Sequence, residues 1–243
     1  MARKGGRGRL KRAASPTVWK IQRKGGRFVP KPSPGPHGKR QGMPLLMIIR
    51  DVLKIAKNSK EAESIVKSGG ILVDGRIRED PRLPVGLMDV LEIPAIEKSY
   101  RMVPSKTSPL TLLGIPNDEK AKKLCEVKSK KSEKGGKFQV GFHDGRSILI
   151  GGEVNLKVGD SCLIEIPSQN IVRNFGLKID SLIIITGGQS QGKIGKVVQM
   201  KPGSISRVAM ATISVAGVNI DVPLKMVMVV GDEKPVITIE GVN

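Results

Sequence analysis

Aromatic side chains make up only 2% of this 243-residue chain: four Phe, one Tyr and one Trp. Its cores must therefore be built from Ile, Val, Leu and Met. A hydrophobic fraction of 39% in a chain this long is enough for two or three small domains. Cysteine is scarce too. Cys125 and Cys162 lie far apart and form no C-x-x-C pair, so no zinc site is expected; they read as reduced thiols of a cytosolic protein. The two histidines, His37 and His143, stand alone and make no metal spacing. No metal and no other cofactor is expected. The neighbours His143 and Asp144 read as a turn, not a catalytic dyad. No apolar run approaches the roughly 18–20 residues that span a bilayer. The basic N-terminus also lacks the apolar stretch of a secretory leader.

Acidic residues are missing altogether from the first 43 positions; the first is Asp51. Those positions hold thirteen bases: Arg3, Lys4, Arg7, Arg9, Lys11, Arg12, Lys20, Arg23, Lys24, Arg27, Lys31, Lys39 and Arg40. They carry +13 of the chain's net +20 and leave +7 for the other 200 residues. A field of this sign and size favours a polyanion, and with no membrane span, nucleic acid. The segment is rich in Gly and Pro and has little apolar periodicity, so it is not expected to fold alone. It reads as an extended arm that orders when an anion neutralises it. Trp19 and Phe28 are anchors within it, either on a neighbouring domain or against bases.

Beyond the arm the chain carries ordinary folding signals. Residues 44–57, "PLLMIIRDVLKIAK", predict an amphipathic helix with Pro44 in its first turn and Leu46, Ile49, Leu53 and Ala56 on one face. Arg50, Lys54 and Lys57 would line its other side. Asn58 or Ser59 caps a second helix that ends before Gly69-Gly70, with Ala62, Ile65 and Val66 inward. Asp74-Gly75 is a hairpin signal that places Arg76 and Arg78 on one face. From residue 94 short strands and turns take over, including the Asp144-Gly145 turn, a solvated Lys-rich hairpin tip at 128–137 and a strand carrying Cys162, Ile164 and Ile166. Five more short strands after residue 180 suggest a small closed or nearly closed barrel.

The stretch "ITGGQSQGKIGKVVQM" matches G-x-x-x-x-G-K at Gly187, Gly192 and Lys193. A nucleotide loop would need Ser or Thr after the lysine and a helix to meet the phosphates. Ile194 comes next instead, then a β-branched run and Pro202-Gly203. No small-molecule substrate is expected here. A glycine-lysine loop between two strands remains, suited to a tight barrel turn, to a phosphodiester backbone, or to both.

That stretch resembles a KOW motif of Src-homology-three-like barrels. "IRDVLKIAKNSKEAESIVKSGGILVDGRIRED" resembles the S-four RNA-binding domain. The opening "LKRAASPTVWKIQRKGGRFVPKPSPGPHGKR" resembles the start of one family whose order matches throughout: the archaeal and eukaryotic small-subunit ribosomal protein S-four-e, here in its archaeal form. Ser15 stands where Ala often precedes Pro16, and Lys193 where Arg is frequent; neither change removes a charge. The resemblance implies an α+β, multidomain chain. It would have a basic arm (1–43), a small αβ S-four domain (44–93), a central β domain (94–171), a KOW barrel (172–230) and a tail (231–243). It implies a non-enzymatic constituent of the cytoplasmic ribosome, with small-subunit rRNA and neighbouring ribosomal proteins as partners, and no homo-oligomer. RNA contacts would fall on the arm's bases with Trp19 and His37. They would also fall on Arg50, Lys54, Lys57, Arg76 and Arg78, and on Gly187, Gly188, Gln189, Lys193, Gly195 and Lys196. Two alternatives are an S-four-domain RNA-modifying enzyme, for which no convergent acid cluster stands out after residue 93, and a KOW-type transcription or elongation factor.

Overall fold

The computed structural model describes residues 9–19, 21, 26–151 and 156–239. Three five-stranded antiparallel sheets dominate it, with two short strand pairs and little helix. No helix among the described residues is long and apolar enough to cross a membrane.

The described part of the arm does not stand off from the protein. Arg9–Lys11 pairs with Phe28–Pro30, and Gly42–Pro44 pairs with Pro84–Gly86. Trp19 is 3% exposed, and its indole N–H donates to the Gly42 carbonyl at 2.9 Å. Burying a tryptophan contributes most when that one polar group finds a partner, as here. Trp19 and Val29 share a core with Leu45, Leu46, Ile48 and Ile49. The described part of the arm is therefore ordered on its own chain, which corrects the reading of it as a free extended segment. Two apolar anchors, Val29 on the strand pair and Trp19 between its strands, offset the ordering cost that its own composition could not.

The same packing explains the first helix. Only Leu45–Met47 is α-helical; Ile48–Val52 forms a wider turn, in which Leu53 donates back to Ile48 at 2.8 Å. Lys54, at φ 55°, ends it. Leu45 through Ile49 are all buried, in one core with Trp19 and Val29 of the arm. The expected 14-residue helix with a basic stripe is thus corrected to about two turns. The second helix, Ser59–Lys67, forms as expected: Asn58 accepts from the Glu61 N–H at 2.9 Å, and Glu61 accepts from the Lys57 N–H at 2.8 Å. Ala62 and Val66 face the core.

The first sheet runs, in spatial order, Arg76–Ile77, Leu72–Val73, Val90–Ile93, Lys98–Ser105 and Ser108–Ile115. Asp74 and Gly75 turn the first hairpin with φ of 53° and 69°, as a two-residue turn of this hand requires. The sheet crosses position 93 without interruption, because Val90–Ile93 pairs with Lys98–Ser105.

The second sheet orders Ser147–Gly151, Lys137–Phe142, Lys122–Glu133, Ser161–Glu165 and Ile171–Phe175. Its last strand lies across the 171/172 border expected from sequence. Residues 123–127 are buried on both faces. Leu124 enters the core shared with the third sheet, while Cys125 and Val127 point into a smaller core of the second sheet's own.

The third sheet orders Val218–Pro223, Met210–Val215, Ile194–Lys201, Leu182–Ile185 and Val227–Gly231. Ile183, Val197, Ile213 and Val229 share one face and Ile184 with Met228 the other, all within one core. Fully burying each such side chain contributes about 1.5–3 kcal/mol. The chain beyond it is docked as far as it is described: Ile237 and Ile239 enter the same core, and Thr238 donates to Glu119 through its hydroxyl at 2.6 Å and its N–H at 2.9 Å.

Candidate nucleic-acid interface

Where the first two sheets and the arm meet, charge is buried. Lys123 is fully buried, and its ammonium lies 2.6 Å from Asp89, 2.7 Å from Asp74 and 2.9 Å from Asp144. Arg146 pairs with Asp74 and, at 3.0 Å, with Asp144. His37 Nε2 sits 2.9 Å from Asp89. Burial would lower the Lys123 ammonium, but Asp89 and Asp74 outweigh it and hold the pKa well above the usual lysine range. Burial would raise Asp89; Lys123 and His37 outweigh that and hold it below the carboxylate range. Asp74 goes the other way, pushed up by burial and by the charge of Asp89. No group of three or more His, Cys, Asp or Glu among the described residues could hold a metal ion. The cluster joins parts of the chain and leaves no carboxylate free to act.

His143 lies beside it. The Glu126 N–H donates to its Nδ1 at 3.2 Å, and its Nε2 faces the Leu87 carbonyl at 3.0 Å. The neutral ring with its proton on Nε2 satisfies both. Burial and then Lys123 lower its pKa to about 4. Between pH 6.5 and 4 the unfolded chain therefore binds a proton that the folded chain does not, and stability falls as pH falls. The loss from about pH 7.5 to about 4.5 should be about 2–3 kcal/mol by urea unfolding. His143→Gln should flatten that part of the profile; an undiminished loss in the variant would assign it elsewhere. Of the two cysteines, Cys162 is pushed up to about 12 by burial and then by Asp160, and Cys125 is raised by burial, so both are inert free thiols.

The residues expected to contact RNA fall into distinct groups. His37 and Trp19 are corrected: both are buried against protein, held by Asp89 and Gly42. Arg3, Lys4, Arg7, Lys20, Arg23 and Lys24 lie outside the described residues, and Arg9 is described only as backbone in a strand. Lys11, Arg27, Lys31, Lys39 and Arg40 are exposed, and Arg12 is half-buried. Arg27 lies over the Phe28 ring, 5.6 Å from its centroid, and Lys39 donates to the Ala14 carbonyl.

Arg50, Lys54 and Lys57 share no helical stripe, since the helix ends before Lys54. Arg50 is bound to Asp51 at 2.7 Å and to Ser59 at 2.6 Å, bracing the two helices. Lys54 and Lys57 are exposed. Arg76 and Arg78 do come together, on a cleft of about 350 Å³ that the turn carrying Arg146 closes from the other side. Arg76 is exposed, and the Nε of Arg78 is buried without a hydrogen-bond partner. Arg146 was not expected at this surface. Its place after an Asp-Gly turn was the only sequence signal, and that signal specifies a turn, not a neighbour.

The glycine-lysine loop joins Leu182–Ile185 to Ile194–Lys201, so a strand, not a helix, continues from Lys193. The geometry of a nucleotide loop is absent. Gly192, at φ 74°, lies so close to Ser105 that an added Cβ would sit 2.6 Å from its Cα. Gly195 is pressed against Ser214 and Ile213 of the next strand. These two glycines serve packing. Gly188, Gln189 and Lys196 are exposed, while Gly187 and Lys193 are half-buried.

Comparisons with known proteins match three stretches of the chain. Residues 4–40 match the RS4NT (NUC023) domain, 43–91 the S4 domain and 96–171 the ribosomal family S4e. The small ribosomal subunit protein eS4 of Methanocaldococcus jannaschii is 38% identical, over 98% of this chain and 99% of that protein. That of Methanothermobacter thermautotrophicus is 39% identical over 99% of each. The crystal structure of the 30S ribosomal protein S4e from Thermoplasma acidophilum superimposes with a TM-score of 0.69 at 28% identity, covering 79% of this chain and 96% of that one.

Proposed function

The chain belongs to the S4e family of small-ribosomal-subunit proteins, as a structural constituent and not an enzyme, and we propose that it holds rRNA by reading phosphates and helix shape. The end-to-end match to curated relatives carries this conclusion. It favours neither an RNA-modifying enzyme nor an elongation factor. A-form RNA hides its base edges in a narrow groove, so Lys and Arg contact phosphates and 2′-hydroxyls. The exposed bases of the arm, Lys54 and Lys57 after the first helix, Arg76 of the hairpin and Lys196 of the glycine loop supply such contacts. The third sheet, with its glycine loop between two strands, is read here as a KOW barrel of the Src-homology-three type. Neighbouring ribosomal proteins are further partners, and the chain acts as a single copy in the cytoplasm.

The test is charge reversal at exposed positions that support no packing. Lys54→Glu, Lys57→Glu and Arg76→Glu together should weaken binding to small-subunit rRNA at least tenfold and leave the circular dichroism unchanged. The log-log salt slope should fall by roughly 3. Wild-type affinity and slope in the triple variant would remove these residues from the interface.

A further inference from the structure

A second cleft, of about 190 Å³, opens where all four segments of the chain meet. It is too small for a helix or for a drug-sized ligand, whose sites start near 300 Å³; its scale is that of one ring system. Two imidazoles line it, His37 and His143, with centroids 6.1 Å apart and planes tilted by 49°. His37 Nε2 faces Asp89, and both nitrogens of His143 face partners within the protein, Glu126 and Leu87. What His143 offers the cleft is therefore its ring surface rather than hydrogen bonds. Pro109 and Leu110 add apolar wall. Three exposed cations stand on the lining: Arg40 from the arm, Lys128 from the second sheet and Lys225 before the last strand. Glu126 is the one carboxylate on it, and it is bound to Lys128 and buried.

An aromatic and apolar floor under a cationic rim matches a nucleotide with its base turned in and its phosphates outside. We propose that this cleft takes one unstacked nucleotide of the rRNA, its base against His143, Pro109 and Leu110, its flanking phosphates on Arg40, Lys128 and Lys225. This rests on the rRNA-binding reading and adds to it a single-stranded contact. In a chain with so few exposed aromatics, the half-buried His143 ring is the stacking surface, with His37 packed behind it. The contact would also clamp the arm, the first two sheets and the third onto one another.

The decisive measurement is zero-length ultraviolet cross-linking of the full chain to small-subunit rRNA, with the joined peptides mapped by mass spectrometry. Cross-links at residues 40–41, 109–110, 143 or 225, to an unpaired nucleotide, are expected. Cross-links confined to other surfaces, or a protein side chain seated in the cleft of the assembled subunit, would overturn the proposal. Filling the cleft from either wall, by Gln41→Trp or by Thr186→Trp, should weaken rRNA binding about tenfold with no change in salt slope. Lys128→Gln with Lys225→Gln should instead lower the slope by about 2. Free ribonucleoside monophosphates at millimolar concentration should not compete; strong competition would make this a small-molecule site. If the wild-type chain binds no rRNA, the functional reading itself fails. If it binds and both tryptophan variants bind equally well, only the cleft proposal fails. Should the variants fold poorly, the wild-type cross-link map decides alone.

Discussion

Replacing Lys123 with methionine should cost about 3–5 kcal/mol of folding stability, because removing one partner of a buried ion cluster strands the others. Against a total of about 5–15 kcal/mol for a domain, this is a large fraction of the stability. Three carboxylates face that ammonium within 2.9 Å, and Arg146 alone would remain to compensate them, with His37 at its edge. The loss should be specific in two ways. Adding Asp89→Asn should restore part of the stability, since it removes a stranded charge while keeping the shape. Lowering the pH toward about 4–5 should also narrow the gap between variant and wild type. Without Lys123 the carboxyls' folded pKa values rise above the unfolded value near 3.9, so the variant gains stability by binding protons that the unfolded chain does not. In the wild type Asp89 has the opposite sign, while Asp74 is already raised. The depressed Asp89 stabilises above the unfolded carboxyl value and loses that contribution as pH falls through its own. The raised Lys123 stabilises below its unfolded value and loses that contribution only as alkali titrates it. Guanidinium unfolding at several pH values measures all of this. A loss below about 1 kcal/mol, or one that grows toward about pH 4–5, would mean that the cluster does not join the segments of the chain.

The second large effect concerns affinity. Changing nine arm bases to glutamine (Arg3, Lys4, Arg7, Lys11, Lys20, Arg23, Lys24, Arg27 and Lys31) leaves Trp19, Val29 and His37 in place and so preserves the anchors. Phosphate neutralisation supplies much of such binding, and the log-log slope is about 0.9 per contact for duplex DNA, taken here as comparable for helical RNA. If half of the nine engage, the slope should fall by roughly 4. Between about 50 and 200 mM salt the wild type should then lose about two decades more affinity than the variant. Filter binding across salt concentrations reads both. An unchanged slope would make the arm a packing element only, with its charge unused.

The arm shows how the sequence divides from the fold. Thirteen bases without an acid announce a polyanion partner, since net charge needs no geometry. Asp74-Gly75 marks a hairpin and Asn58 with Glu61 a helix start, because turn and cap chemistry is read within a few residues. The strand after Lys193 was legible for the same reason: Ile194 and a β-branched run leave no local route to a helix. The order of the motifs along the chain was enough to point to the family.

What stayed hidden depends on partners far along the chain. Trp19 and His37 sit among basic and glycine-rich neighbours, and nothing local separates a residue that faces RNA from one that caps a core. The helix beginning at Leu45 has the right period for a half-exposed helix, yet all of Leu45 to Ile49 is buried with Trp19 and Val29, and Lys54 turns it off. A lysine in the strand "KKLCEV" reads as solvent-facing. Lys123 is buried instead, because sheets close over both faces of that strand and bring Asp74 and Asp89 to it from 49 and 34 residues away. Composition, turns, caps and strand periods are local quantities, and the sequence determined them by itself. Which polar groups lie inside is decided by which surfaces meet, and only the tertiary structure settled that.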